Sequence, residues 1–332
     1  THYTVVAYGA AGALKSVMLA EEAAGPGSGK ARLNVYHLAP DAGALDVYVT
    51  GADDVLTDAT ALAPGVTGPD KVVSGDVTSG SYRLRVTGAG NPADLRLDVS
   101  GLTLGSGQVA ALVLTSGTGG VLVQALLVPQ QDNVKALSSA QARARLVASV
   151  SGNGVVTASV GSSALLVNAT SPAIGSYVVV GASSSTAQAL TVSVNGTPLA
   201  VPAQTLAPGG DYTLMVWGNA AAPQWTLLTD DNRLPAVATN ARLRLVHGVV
   251  GLADALTLTA DFSPVAANVA QGQASAYATV VASATMRLQV TSPRSTTPLY
   301  DQTSTPISGN QLYTVFVLGD SSAPYTALRK ER

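Results

Sequence analysis

The feature that most limits what this chain can fold into is a repeat written in two-residue alternation. Ala31-Arg32-Leu33-Asn34-Val35-Tyr36-His37 returns as Ala241-Arg242-Leu243-Arg244-Leu245-Val246-His247. A weaker copy is Ala142-Arg143-Ala144-Arg145-Leu146-Val147-Ala148. The starts lie roughly 100–110 residues apart, the size of one β-sandwich. Each unit also closes alike. Asp211-Tyr212-Thr213-Leu214-Met215-Val216-Trp217-Gly218 matches Leu312-Tyr313-Thr314-Val315-Phe316-Val317-Leu318-Gly319, and Gln108 to Leu114 fills that slot in the first unit. Alternation of this kind, as in Ser81 to Val86 and Leu190 to Val194, makes a half-buried strand rather than a helix. Asn195-Gly196, Ser79-Gly80 and Gly209-Gly210 supply the turns between strands. A helical turn over Ser138 to Arg143 is the one exception the pattern suggests, and the stretch reads more readily as part of a linker.

The N-terminus carries the same signature. His2-Tyr3-Thr4-Val5-Val6-Ala7-Tyr8-Gly9 matches the closing strand, and Leu14 to Leu19 matches the strand that follows it. The expected organisation is a closing hairpin over 1–21, then β-sandwich repeats over 31–130, 142–230 and 241–332. Joints fall at Glu21 to Lys30, Gln130 to Gln141 and Asp230 to Asn240, where Pro, Gly, Ser and Asn suit short linkers. The fold class is all-β, tandem antiparallel sandwiches of immunoglobulin-like type preceded by an orphan hairpin. On this reading the repeat to which the hairpin belongs lacks its beginning. The chain begins at Thr1 rather than Met, as a processed chain or part of a longer product would.

Composition narrows the function classes. Charged residues are 11% of the chain and the net charge is −2, against about 25% charged in an ordinary domain. A nucleic-acid binder needs a basic face, and none is present. There is no Cys, which removes disulfides and thiolate metal sites, and only His2, His37 and His247 could supply imidazole. Leu146 to Gly210 and Val99 to Gln131 hold no charged residue, yet Gly, Pro, Ser and Asn interrupt them too often for a membrane-spanning helix. No cofactor motif is complete. Gly25-Pro26-Gly27-Ser28-Gly29-Lys30 fails as a phosphate loop, because Ala31 replaces the hydroxyl residue and a strand follows. No nucleophile elbow or triad can be assembled, so the reading is not an enzyme.

Val35-Tyr36-His37-Leu38-Ala39-Pro40-Asp41-Ala42-Gly43-Ala44-Leu45-Asp46-Val47-Tyr48-Val49 resembles a bacterial family of domains of unknown function. Its members carry a Val-His-x-x-Pro-Asp-Ala-x-x-Val-Asp-Val-Tyr-Val pattern and a later Tyr-Thr-Val strand, and occur in tandem on exported and cell-envelope proteins. The second unit lacks the His and the Pro-Asp-Ala. The third keeps His247 but has Gly248-Val249-Val250-Gly251 where Pro-Asp would fall. The resemblance implies immunoglobulin-like sandwiches and an extracellular or cell-surface location, and brings no activity with it.

Few residues are candidates for a site. His37 and His247 close their strands, either as ligands or as loop clamps bonded to a carbonyl. Asp41 and Asp46 could face a cation or serve the turn after Pro40, and no complete calcium loop surrounds them. Trp217 and Trp225 lie on adjacent strands and could form a sugar platform or pack as core. The pairs Asp53-Asp54 and Asp230-Asp231 read as solvated turn residues. The sharper candidate is the strand Tyr3, Thr4, Val5, Val6, Ala7 and Tyr8. An isolated hairpin is marginal in water, and an edge without Lys or Pro guards invites pairing. The sequence therefore predicts a non-enzymatic surface or matrix protein, a homo-oligomer or homopolymer built by strand addition with the N-terminal strands as the donated element. The alternative is an adhesin or glycan-binding module using His37, Asp41, Asp46, Trp217 or Trp225.

Overall fold

The computed structural model describes residues 3–9, 14–20, 24–130 and 132–332. His2, in the closing-strand match, and Glu21, which opens the first joint, lie outside them. The chain divides into two compact units, 1–141 with 207–209, and 142–206 with 210–332.

In the first unit, β1 (Tyr3–Tyr8) and β2 (Lys15–Ala20) form a two-stranded antiparallel hairpin with Val5 opposite Met18. The first sandwich follows. Its strands are β3 (Lys30–Leu38), β4 (Leu45–Thr50), β5 (Ala63–Val66), β6 (Val73–Thr78) and β7 (Gly80–Gly88). Then come β8 (Asn91–Leu104), β9 (Val109–Ser116), β10 (Val123–Pro129) and β11 (Lys135–Leu137). One sheet runs β11-β10-β9-β3-β6 and the other β5-β4-β7-β8. Ala31, Leu33 and Val35 alternate into the space between the sheets, where they meet Leu45, Val47, Leu84, Val86, Leu112 and Leu114. The strand β11 falls inside the expected joint at Gln130 to Gln141 and covers the outer edge of β10.

The second unit holds two sandwiches of the same plan. The first has β12 (Gln141–Val150), β13 (Val155–Val160), β14 (Ser163–Thr170), β15 (Ala173–Ile174) and β16 (Val178–Gly181). It continues through β17 (Leu190–Val194), β18 (Thr197–Leu199), β19 (Asp211–Asn219) and β20 (Ala222–Asp230). The other has β21 (Asn240–His247), β22 (Leu256–Ala260), β23 (Ser263–Val269), β24 (Gln273–Ala274) and β25 (Ala278–Val281). Its last strands are β26 (Ser283–Thr291), β27 (Tyr300–Ile307), β28 (Gln311–Leu318) and β29 (Tyr325–Lys330). The sheets are β15-β12-β19-β20, with β16 also on β12, over β14-β13-β17-β18, and β24-β21-β28-β29, with β25 also on β21, over β23-β22-β26-β27. The helical turn expected at Ser138 to Arg143 is absent, because the apolar alternation of β12 already starts at Gln141. The Asn195-Gly196 turn is read correctly. Both residues have positive φ (50° and 79°), and Val194 pairs with Thr197 across a two-residue hairpin loop.

Apart from the added edge strand β11, the three sandwiches share one core strand order, which differs from the seven-strand immunoglobulin arrangement. The opening strand of each repeat lies parallel to the first strand of its closing hairpin, β3 beside β9, β12 beside β19 and β21 beside β28. These opening and closing strands alternate apolar residues onto both of their faces. In the second unit, the outward residues Val147, Met215, Leu228, Val246, Phe316 and Leu318 form a separate buried cluster between the two sandwiches. A sheet with one solvated face would carry polar residues there. Gly272 lets the chain approach this layer closely, since a Cβ there would sit 2.4 Å from the Trp217 ring. Phe316 is fully buried at its centre. Phe316→Ala is expected to destabilise the second unit by about 3–5 kcal/mol, read from urea unfolding. A loss below about 1 kcal/mol would mean that the layer is not a packed core.

Candidate functional site

The hairpin β1–β2 has two faces with different fates. Val6, Tyr8, Val17 and Leu19 pack on Tyr36, Leu38 and Val113 of the first sandwich, on the outer face of its β11-β10-β9-β3-β6 sheet. The opposite face is open: Tyr3 is 56% exposed, Val5 67% and Met18 60%. Alignment with the other closing strands explains the split. Thr4, Val6 and Tyr8 correspond to Thr213, Met215 and Trp217, and to Thr314, Phe316 and Leu318. Met215, Phe316 and Leu318, with Trp217 against them, make the layer between the sandwiches of the second unit. Tyr3, Val5 and Ala7 correspond to Tyr212, Leu214 and Val216, and to Tyr313, Val315 and Val317, which line sandwich interiors. The hairpin therefore docks with the face that packs sandwich on sandwich, and exposes the face that elsewhere is core. Among the described residues β1 pairs only with β2, so its other edge has no strand beside it.

The candidate ligand residues are spread over several structural tasks. His37 Nε2 lies 2.6 Å from the Gly43 carbonyl, and its Nδ1 accepts from the Ala39 amide. That pattern puts the proton on Nε2. Burial lowers its pKa, and the loop Pro40–Ala42 between these contacts is a short 3-10 turn containing Asp41. His247 repeats the arrangement with the Asp254 carbonyl at 3.1 Å and the Val249 amide at 3.3 Å. Asp46 is buried and accepts from the Gly65 and Gly90 amides at 2.7 and 2.8 Å. Trp217 donates to Thr226 Oγ1 at 3.2 Å and faces the layer between the sandwiches, whereas Trp225, opposite Val216, packs on the core of its own sandwich. The two rings thus lie on opposite faces of one sheet, and one ligand cannot lie flat on both.

A buried ionic cluster escaped the sequence reading. Arg145 is 1% exposed and forks onto Glu331 with bonds of 2.8 and 2.9 Å, across 186 residues of chain. Arg244 is 2% exposed and donates to Asp230 at 2.6 Å. Each arginine also donates its Nε to a threonine on the strand parallel to it, Thr213 at 2.9 Å and Thr314 at 3.0 Å. Each lies over a tyrosine ring, Arg145 at 4.4 Å from Tyr177 and Arg244 at 4.6 Å from Tyr277. The ion pairs are exchanged, since each sandwich supplies an arginine to the closing end of the other. Asp230, expected to be solvated, is 1% exposed, because the apolar layer closes over it; Tyr177 and Thr213 donate to it as well. Burial works against its charge, but Arg244 and Arg145 more than offset that and hold its carboxyl below the usual carboxylate range. The available signal was arginine at an alternate position of an otherwise apolar opening strand.

The second unit also carries a cleft of about 440 Å³ lined by Val150, Asn153, Ser171, Pro172, Asp320 and Tyr325, among others. The Ser171 hydroxyl is buried and makes no hydrogen bond. Among the described residues no cluster of His, Cys, Asp or Glu could hold a metal ion, and no helix is long and apolar enough to cross a membrane.

Residues 1–48 and 142–253 match the family model described as a domain of unknown function, DUF4397. The chain is similar to that family over these two segments. Both segments contain a closing hairpin followed by the opening strand of the next repeat. The second repeat lies inside the match along its whole length although it lacks the His and the Pro-Asp-Ala. No curated protein matches the chain. Among solved structures, the Bacillus anthracis TIE protein aligns with 12% identity and a TM-score of 0.17, covering 92% of this chain and 52% of that one. This chain thus spans about half the length of that structure.

Asp230→Asn leaves Arg244 buried without a counter-charge and is expected to destabilise the second unit by about 3–5 kcal/mol. Because the folded carboxyl titrates below the unfolded one, its contribution is complete above a pH of about 4 and is lost as pH falls further. Urea midpoints measured from pH 7 to pH 3 check both statements: the wild-type midpoint falls across the acid range, and the variant falls less steeply.

Proposed function

We propose that this protein is a non-enzymatic structural protein of the bacterial cell surface or extracellular matrix, a subunit that polymerises through strand addition at the hairpin β1–β2. The observation that carries this reading is the hairpin itself, which among the described residues has no strand beside the outer edge of β1 and presents an open apolar face at Tyr3, Val5 and Met18. Edges of lone domains are usually guarded by charge, proline or a bulge, and apolar faces are covered. Here β1 has none of these guards. Strand addition supplies main-chain hydrogen bonds together with side-chain burial, and a head-to-tail contact that does not close on itself makes a filament. Negative-stain electron microscopy of the full chain tests this. Fibres are expected for the wild type and their loss for Val5→Lys, which charges a solvent-facing position without touching the docked face. A monodisperse monomer at high concentration would overturn the reading.

The cleft at Asp320 and Tyr325 favours a second reading, a surface module that binds glycans. Tyr325 is 45% exposed and offers a ring for a sugar face, with Asp320 and Asn153 as polar partners nearby. A glycan array followed by calorimetry would show saturable binding lost in Tyr325→Ala. No binding by the wild type would remove this reading.

A further inference from the structure

Most carboxylates of the second unit are claimed by an arginine. Asp211 pairs with Arg143, Glu331 with Arg145, Asp230 with Arg244 and Asp301 with Arg287. Asp320 differs. Its carboxylate accepts from the Gly152 amide at 3.4 Å, and among the described residues no arginine or lysine bridges to it. It stands half-buried in the wall of the cleft of about 440 Å³, whose lining contains no Lys, Arg or His. The same wall holds Ser171, which is 2% exposed and whose hydroxyl makes no hydrogen bond. We propose that this cleft binds a sugar through a protonated amino group, so that its ligand is an amino sugar with a free rather than an acetylated amine. This deepens the glycan reading above and rests on it: it names the class of sugar and the side chains that select it.

The cleft forms where three connections meet. Val150 and Asn153 flank the turn between β12 and β13, Ser171 and Pro172 join β14 to β15, and Asp320 to Pro324 join β28 to β29, which starts at Tyr325. Backbone groups of these connections are already paired. The Ser171 amide donates to the Gly154 carbonyl at 3.0 Å, the Ser321 amide to the Val250 carbonyl at 2.9 Å and the Ala323 amide to the Asp320 carbonyl at 3.0 Å. The main chain therefore holds the wall in place, and the Ser171 hydroxyl is left over. A buried polar group without a partner is costly, and a ligand that completes it recovers that cost. An ammonium group brings three donors and no acceptor. The Asp320 carboxylate and the Ser171 hydroxyl oxygen are acceptors for it, the first with a charge-assisted bond. The Tyr325 ring is 45% exposed, and such a face attracts a cation and also packs against the C–H face of a sugar ring. Pro172 and Pro324 extend the apolar side of the wall. The volume lies within the roughly 300–1,000 Å³ of small-molecule sites. An acidic sugar would meet Asp320 with like charge, and a neutral one would leave that charge unbalanced.

A bare metal cation is the main competitor. Calcium takes 6–8 oxygen ligands. One carboxylate with a few neutral oxygens falls short of that set, and the proline and alanine part of the wall offers no side-chain oxygen. The apolar wall beside the single charge suits an organic cation better.

Calorimetry on the full chain tests this with three trimers: β-1,4-linked glucosamine, its N-acetylated form and cellotriose. The glucosamine trimer should bind saturably and at least tenfold more tightly than the other two, and its binding should weaken as rising pH removes the proton from its amine. Asp320→Asn should weaken that binding at least tenfold. Ser171→Ala should weaken it while leaving the urea midpoint unchanged or higher, because a hydroxyl without a partner adds nothing to the stability of the free protein. Equal affinity for the three trimers would overturn the proposal and leave the glycan reading standing. No saturable binding of any trimer would overturn both. Displacement of the glucosamine trimer by calcium, or affinity unchanged in both Asp320→Asn and Ser171→Ala, would also overturn the proposal.

Discussion

The rest of the structure depends on one constraint: the sheets made by opening and closing strands are apolar on both faces. Alternation normally lets a sheet bury one side and wet the other. Here Leu243, Leu245 and Val315 fill a sandwich interior while Val246, Phe316 and Leu318 must be buried outward. Fully burying each such side chain stabilises by about 1.5–3 kcal/mol, so leaving a whole face wet is costly. In the second unit the two sandwiches satisfy the requirement for each other. In the first, the hairpin β1–β2 covers Tyr36, Leu38 and Val113. It meets that need with its own outward face and leaves its inward one open.

The buried arginines give this layer its register. Removing an ion from water costs several kcal/mol, and attraction to a partner repays this only with good geometry and further hydrogen bonds. Arg145 has a two-pronged carboxylate, a threonine hydroxyl and an aromatic ring. Arg244 has Asp230, Thr314 and Tyr277, though its Nη2 finds no acceptor. Sliding one sandwich over the other would strand both charges, so the exchange selects one alignment more than it adds stability. In the first sandwich the equivalent position is Asn34, which accepts a hydrogen bond from the Ser74 hydroxyl at 2.5 Å.

Much of the fold was legible because strand alternation and turn chemistry are local. The repeat starts, the closing strands and the Asn195-Gly196 loop were readable from neighbouring residues. The ionic cluster was not, because Arg145 and Glu331 meet only after two sandwiches have formed and packed. Asp230 looked like a solvated turn residue for the same reason. Trp217 and Trp225 lie on neighbouring strands, but the register sets Trp225 opposite Val216, which sends the rings to opposite faces. The hairpin was recognisable from its letters, whereas the choice of docked face needed the partner sheet. The Pro-Asp-Ala motif also proved a narrower guide than the strand pattern, since the family match extends over a repeat without it.

The central claim is that β1 is a closing strand that, among the described residues, has only its hairpin partner beside it. Hydrogen exchange of the full chain, followed amide by amide as protein concentration rises, tests it most directly. The account predicts weak protection for residues 3–8 in dilute monomer, far below that of β19 and β28, rising toward their level as subunits assemble. Protection of β1 equal to that of β19 and β28 at all concentrations would contradict it, because the edge would then already be satisfied within one chain.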